Sequence, residues 1–294
     1  MLDHPMDDFP VRKLRFDFAA HEPETAVWSQ SSELFSLFAN AFTLHVPFFE
    51  KYLVRAMMAA RKKITDDGLR QEIDAIIGQE AHHAEAFLQF NALLKRRYPE
   101  AQALETEAKD DFKARLKVDD FKSMVGFTAG YETFTFLAGM IFLDKYDEWM
   151  ANSDPTVKAL WVWHQVEEVE HAAVAFDVYQ YFYGDDQAYR KRMVWAAFRT
   201  IVAEVAKAYL HMCKVEGWLS NPWRAAQASA FITNVLARMM WAARPVLRDG
   251  YHPRNHPLAT TKQNTIATSW RRFHKQGGDV LEIDHEKMAV ILNS

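Results

Sequence analysis

Along most of this chain apolar residues recur at helical spacing in long runs, and the breaks between runs carry turn residues. The pattern predicts long helices joined by short turns. A first helix starts behind the candidate N-caps Ser29, Ser31 and Ser32, has Glu33 in its first turn and runs to about Lys63. Pro47 lies inside it and is expected to kink it. The turn Thr65-Asp66-Asp67-Gly68 opens a second helix reaching about Arg97. Residues 99–118 read as a polar connection with a short helix of its own. Asp119 or Asp120 caps a third long helix ending near Met150. Asp154-Pro155 then gives a cap with proline at the first helical position, opening a fourth helix that Gly184 closes.

No strand series, repeat or low-complexity tract interrupts this order, so the fold class is all-α. Helices one to four form a bundle over residues 30–184, and two additional helices follow at about 187–215 and 222–244. This reads as a single helical domain over 1–245. Beyond it, residues 246–294 are expected to be a polar surface tail, with a short helix at 259–274.

Inside those four helices sit four acidic positions of interest, Glu50, Glu80, Glu132 and Glu168. Glu80 and His83, and again Glu168 and His171, form Glu-x-x-His pairs, in which residues three apart share a helix face and can offer oxygen and nitrogen to one metal ion. Chance alone gives about one such match in a chain of this composition. A third match, Glu282 and His285, falls in the tail and is taken as that chance hit. Spacing separates the other two from noise. The midpoint of 50 and 80 is 65, at the first turn, and the midpoint of 132 and 168 is 150, just before the second. Two antiparallel hairpins therefore bring Glu50 level with Glu80, and Glu132 level with Glu168. Glu132 is also the only charge in residues 124–143, and a carboxylate buried there needs a partner or a metal.

The six positions Glu50, Glu80, His83, Glu132, Glu168 and His171 resemble the ligand set of the ferritin-like di-iron carboxylate superfamily, over roughly residues 30–184. More narrowly, the chain is similar to a bacterial family of predicted metal-dependent hydrolases. The superfamily resemblance implies that these six residues bind two metal ions. Some members carry an extra histidine, which makes His164, one turn before Glu168, a candidate seventh ligand, with a structural or ligand-supporting histidine as the alternative. Gln79 and Glu167 stand just before the motif glutamates, where the superfamily pattern would have an Asp nearby to support a histidine. Glu167 and Glu170 share a stripe with Asp177, read as a solvated acidic face, with support of His83 or His171 as the alternative.

Mixed oxygen and nitrogen ligation suits iron, with manganese as the other choice, better than structural zinc. The expected function is a non-haem di-iron oxidase or oxygenase that uses dioxygen on a small apolar substrate, as the superfamily implies. Metal-dependent hydrolysis by a metal-bound hydroxide is the alternative. A non-catalytic metal-binding helical protein is the third reading.

Composition narrows the partners. The 35 basic and 39 acidic residues leave a net charge of −4, which argues against nucleic acid. A single cysteine, Cys213, removes any disulfide framework and fits a cytoplasmic location. The first residues alternate charge with apolar side chains and do not read as a secretory signal. Segment 124–143 has the length of a membrane span, but Glu132 near its centre makes it a bundle helix instead. The aromatic-rich region 187–244 reads as core packing, as cover for a substrate pocket or as a homodimer interface.

Overall fold

The computed structural model describes residues 4–7, 9–260, 263–283 and 285–293. Ser32 accepts from the Phe35 amide at 3.1 Å and starts α1, Glu33–Thr43. The kink expected at Pro47 is a full break. Leu44 and His45 separate α1 from α2, Val46–Arg61, and Pro47 sits in the first turn of α2. Proline lacks an amide hydrogen and its ring clashes with the carbonyl one turn earlier, so a helix could not pass through Thr43 undisturbed. Asp66 caps α3, Asp67–Arg97, through the Leu69 amide at 2.7 Å.

The expected polar connection is a complete helix, α4, Ala101–Val118. Its apolar stripe is narrow, with Ala101, Ala108 and Phe112 buried along one face, and its remaining surface is charged, which is why it reads as a loop. Asp120 caps α5, Phe121–Asp144, which stops short of Met150, and a short α6, Tyr146–Trp149, follows. Asp154 caps α7, Pro155–Glu170, through the Val157 amide at 3.0 Å. The fourth helix does not continue unbroken to Gly184: the backbone leaves helical geometry at His171 and resumes as α8, Val174–Tyr183. No Gly or Pro marks that break; the residues concerned are His171, Ala172 and Ala173.

Helices α9, Gln187–Val215, and α10, Pro222–Ala242, follow the expected ranges within about two residues. The segment expected to be a loose tail is folded instead. It holds α11, Pro257–Thr260, α12, Thr265–Lys275, and α13, His285–Asn293, and it buries Ile266, Trp270, Val280, Met288 and Ile291. In α12 the buried positions fall on one face (266, 267, 270), a stripe hidden within a polar composition.

The bundle is formed by α2 packed on α3 and α5 packed on α7 and α8, with α2 also against α5 and α3 against α7 and α8. Helix α9 lies across α1 and α5. At Gly130 a Cβ would come within 2.6 Å of the Met193 carbonyl oxygen, so only glycine lets the α9 backbone approach α5 this closely. The described residues contain no strand, only an isolated bridge between Ser29 and Ser153. Among them no helix is long and apolar enough to cross a membrane.

Candidate metal centre

Four helices aim acidic and imidazole side chains at one point in the bundle. Glu50 comes from α2, Glu80 and His83 from α3, Glu132 from α5, and His164 and Glu168 from α7, with His171 just past its end. Each of the seven is at most 2% exposed. They form two clusters whose potential ligand atoms lie within 4.8 Å of one another: Glu50, His83, His164 and Glu168 in the first, Glu80, Glu132, Glu168 and His171 in the second. Glu168 belongs to both. All six residues expected from the resemblance are brought together, and His164 stands with them. His82, next to His83, is partly exposed and outside both clusters. The side chains of Glu282 and His285 lie outside the described residues.

The distances have the scale of coordination. His164 Nε2 lies 3.1 Å from Glu168 Oε1 and 3.4 Å from Glu50 Oε1. His171 Nε2 lies 3.0 Å from Glu80 Oε1, 3.2 Å from Glu132 Oε2 and 3.5 Å from Glu168 Oε2. Neighbouring ligands of an octahedral ion with bonds of about 2.1 Å are about 3 Å apart. Despite this proximity, both oxygens of Glu50 and of Glu80, Glu132 Oε2, Glu168 Oε2, His83 Nδ1, His164 Nε2 and His171 Nε2 are without an aligned hydrogen bond. Buried polar atoms are rarely left so. Their convergence fits two cations, and the donor set of carboxylate and imidazole suits divalent transition metals.

Electrostatics point the same way. Burial pushes Glu50 up to about 7 and holds Glu80 and Glu132 above the usual carboxylate range, with the Glu168 charge adding to the last two. Burial would also raise Glu168, but His164 and His171 outweigh it and hold that carboxyl well below its ordinary range. Burial opposes the charged form of His164, yet Glu168 and Glu50 carry it up to about 10. Burial, helped by His164, keeps His83 well below its ordinary value. Four carboxylates packed this tightly repel one another, and two divalent ions would neutralise them.

A ring of further contacts orients the imidazoles. His83 Nε2 is 2.9 Å from Glu167 Oε2, which turns Nδ1 towards the cluster. His171 Nδ1 is 2.9 Å from Gln79 Oε1, which turns Nε2 inward. Each residue preceding a motif glutamate thus supports the histidine of the opposite motif. The solvated stripe expected for Glu167 and Glu170 is therefore corrected: both are fully buried, paired with Arg12 at 2.8 and 2.6 Å. A buried carboxylate needs such a cation. Asp177, the third member, instead meets His252 at 2.8 Å. Arg12 went unnoticed in the sequence, where a lone arginine 155 residues from Glu167 carries no signal. Aromatic rings close the shell, with Trp163 against His83 and Phe87 against His164 at ring separations of 4.7 and 4.6 Å.

Fold and site together define a helical protein able to hold two metal ions side by side. A model of the family of predicted metal-dependent hydrolases matches residues 10–257, and the chain belongs to that family. No curated protein and no solved structure matches it.

Proposed function

We propose that this chain is a dinuclear metal-dependent hydrolase. Glu50, His83 and His164 would hold one ion and Glu80, Glu132 and His171 the other, with Glu168 belonging to both clusters. The observation that carries the reading is Glu168, whose two oxygens face different clusters, Oε1 towards His164 and Oε2 towards His171. Family membership supports hydrolysis ahead of the oxidation expected from the superfamily resemblance. When bound, an ion pair of this kind supplies Lewis acidity and a water deprotonated near neutral pH. The protein's share is to hold and orient. Glu167 and Gln79 fix two imidazoles in the tautomer that faces the ions, and Phe87, Trp161 and Trp163 keep bulk water from the ligands.

One observation favours a second reading, oxidation of a small apolar substrate by dioxygen at two irons. All seven ligand candidates are buried and aromatic rings line His83 and His164, an enclosure that suits a small apolar reactant. Iron or manganese fits the oxygen-rich donor set under either reading.

The test loads metal-free protein with Mn(II), Zn(II) or Fe(II) under anaerobic conditions and offers a panel of esters and amides. Turnover without oxygen that is lost on chelation supports hydrolysis. Absence of turnover on the panel, together with oxygen consumption and a transient near-ultraviolet or visible band in the iron form, replaces it with the second reading.

A further inference from the structure

The N-terminal segment lies across α3 and α7 directly behind the metal centre. The Pro10 carbonyl accepts from Gln79 Nε2 at 3.2 Å, and the other end of the same amide, Oε1, faces His171 Nδ1 at 2.9 Å. Two residues on, Arg12 Nη1 donates to Glu167 Oε1 at 2.8 Å, and the other oxygen of that carboxylate faces His83 Nε2 at 2.9 Å. A stretch of three residues therefore reaches one histidine of each cluster through a single intervening side chain.

The segment is held firmly. Arg12 is 6% exposed and forks onto Glu170 as well, with Nη1 at 2.6 Å and Nη2 at 2.8 Å. Arg271 of α12 meets Glu170 at 2.9 Å, so two guanidinium groups face two buried carboxylates. The Trp270 ring lies 5.2 Å from the Arg12 guanidinium. Phe16 packs on Trp163 and Phe18 on Phe90. Val11 touches α3 at Gly78, where a Cβ would come within 2.8 Å of Val11 Cγ2, so the missing side chain makes room for the segment.

The geometry points to Pro10 and Arg12 as positioning residues for the metal centre: acting through Gln79 and Glu167, they fix the orientation of His171 and His83. This rests on the reading of the two clusters as a metal site. Partners that orient a ligating histidine typically contribute about 10- to 100-fold to metal affinity. A planar fork suits this place, because both Nη atoms of one guanidinium meet the two oxygens of Glu170 while Nη1 also reaches Glu167.

The experiment titrates metal-free full-length protein with Co(II), reading affinity by chelator competition and ligand geometry by the visible Co(II) spectrum. Arg12→Met is expected to keep the helical circular dichroism while losing about 10-fold or more in affinity at the His83 cluster, with a changed Co(II) spectrum. In a Glu167→Gln background the same substitution is expected to cost less, because its effect runs through Glu167. If Arg12→Met does not fold, Arg12→Lys decides, with a smaller loss of affinity and a spectrum shifted in the same direction.

Wild-type affinity and spectrum in the folded arginine variants would overturn the inference alone, and so would losses that simply add in the double variant. A wild-type chain that takes up no Co(II) would overturn the metal-site reading and this inference with it.

Discussion

Glu167 accepts from His83 at 2.9 Å although the two residues lie 84 positions apart in the chain. Gln79 and His171, 92 positions apart, repeat the relationship in the opposite direction. The two Glu-x-x-His motifs are thus interlocked: each supplies ligand candidates and also the residue that orients the other's histidine. A substitution at one motif should be felt at the other.

Sharing of Glu168 leads to unequal losses among the carboxylates. Glu168→Ala is expected to remove both ions, whereas Glu50→Ala or Glu132→Ala removes about one of two, from its own cluster. Metal analysis of each variant after identical loading and gel filtration checks this. Equal losses in all three variants would contradict a shared carboxylate.

His164 and His82 provide a matched pair of histidines on the same bundle. His164→Leu is expected to lower metal affinity by about 10-fold or more. His82→Leu should leave it unchanged, because His82 is partly exposed and outside both clusters. Isothermal titration with Mn(II) distinguishes them.

His45, buried near Phe42 and Tyr131, is held down to about 3 by burial. Its unfolded value is about 6.5, so between pH 6.5 and 3 the unfolded chain binds a proton that the folded chain does not. Stability therefore falls as pH drops through that window and is unaffected by His45 above it. The largest slope is about 1.4 kcal/mol per pH unit. His45→Phe is expected to melt with a shallower loss between pH 6.5 and 4 than the parent. Parallel melting curves for the two proteins would refute it.

Gly130 sits two residues before Glu132, where the α9 backbone at Met193 and Val194 packs against α5. Gly130→Ala would drive a methyl into the Met193 carbonyl, which is backbone and has no rotamer to yield. Overpacking of this kind costs about 1–3 kcal/mol, against the smaller gain expected from alanine in a helix. Urea denaturation of the metal-free protein measures the balance, and a neutral or stabilising result would show that α9 can move away.

Residues close in sequence, and the turns between helices, determined much of this protein by themselves. The caps at Ser32, Asp66, Asp120 and Asp154 are local hydrogen bonds, so the helix starts were legible. Hairpin symmetry about the two turns brought Glu50, Glu80, Glu132 and Glu168 level, because a helix has a fixed rise per residue. Only the tertiary structure decided the rest. The break at His171 has no local signal, and the narrow stripes of α4 and α12 look polar until a partner covers them. Whether Glu167 and Glu170 faced water or the core depended on Arg12, which reaches them from more than 150 residues away. A charge is tolerated in the interior only when its counter-charge arrives there too, and that meeting is a property of the folded chain.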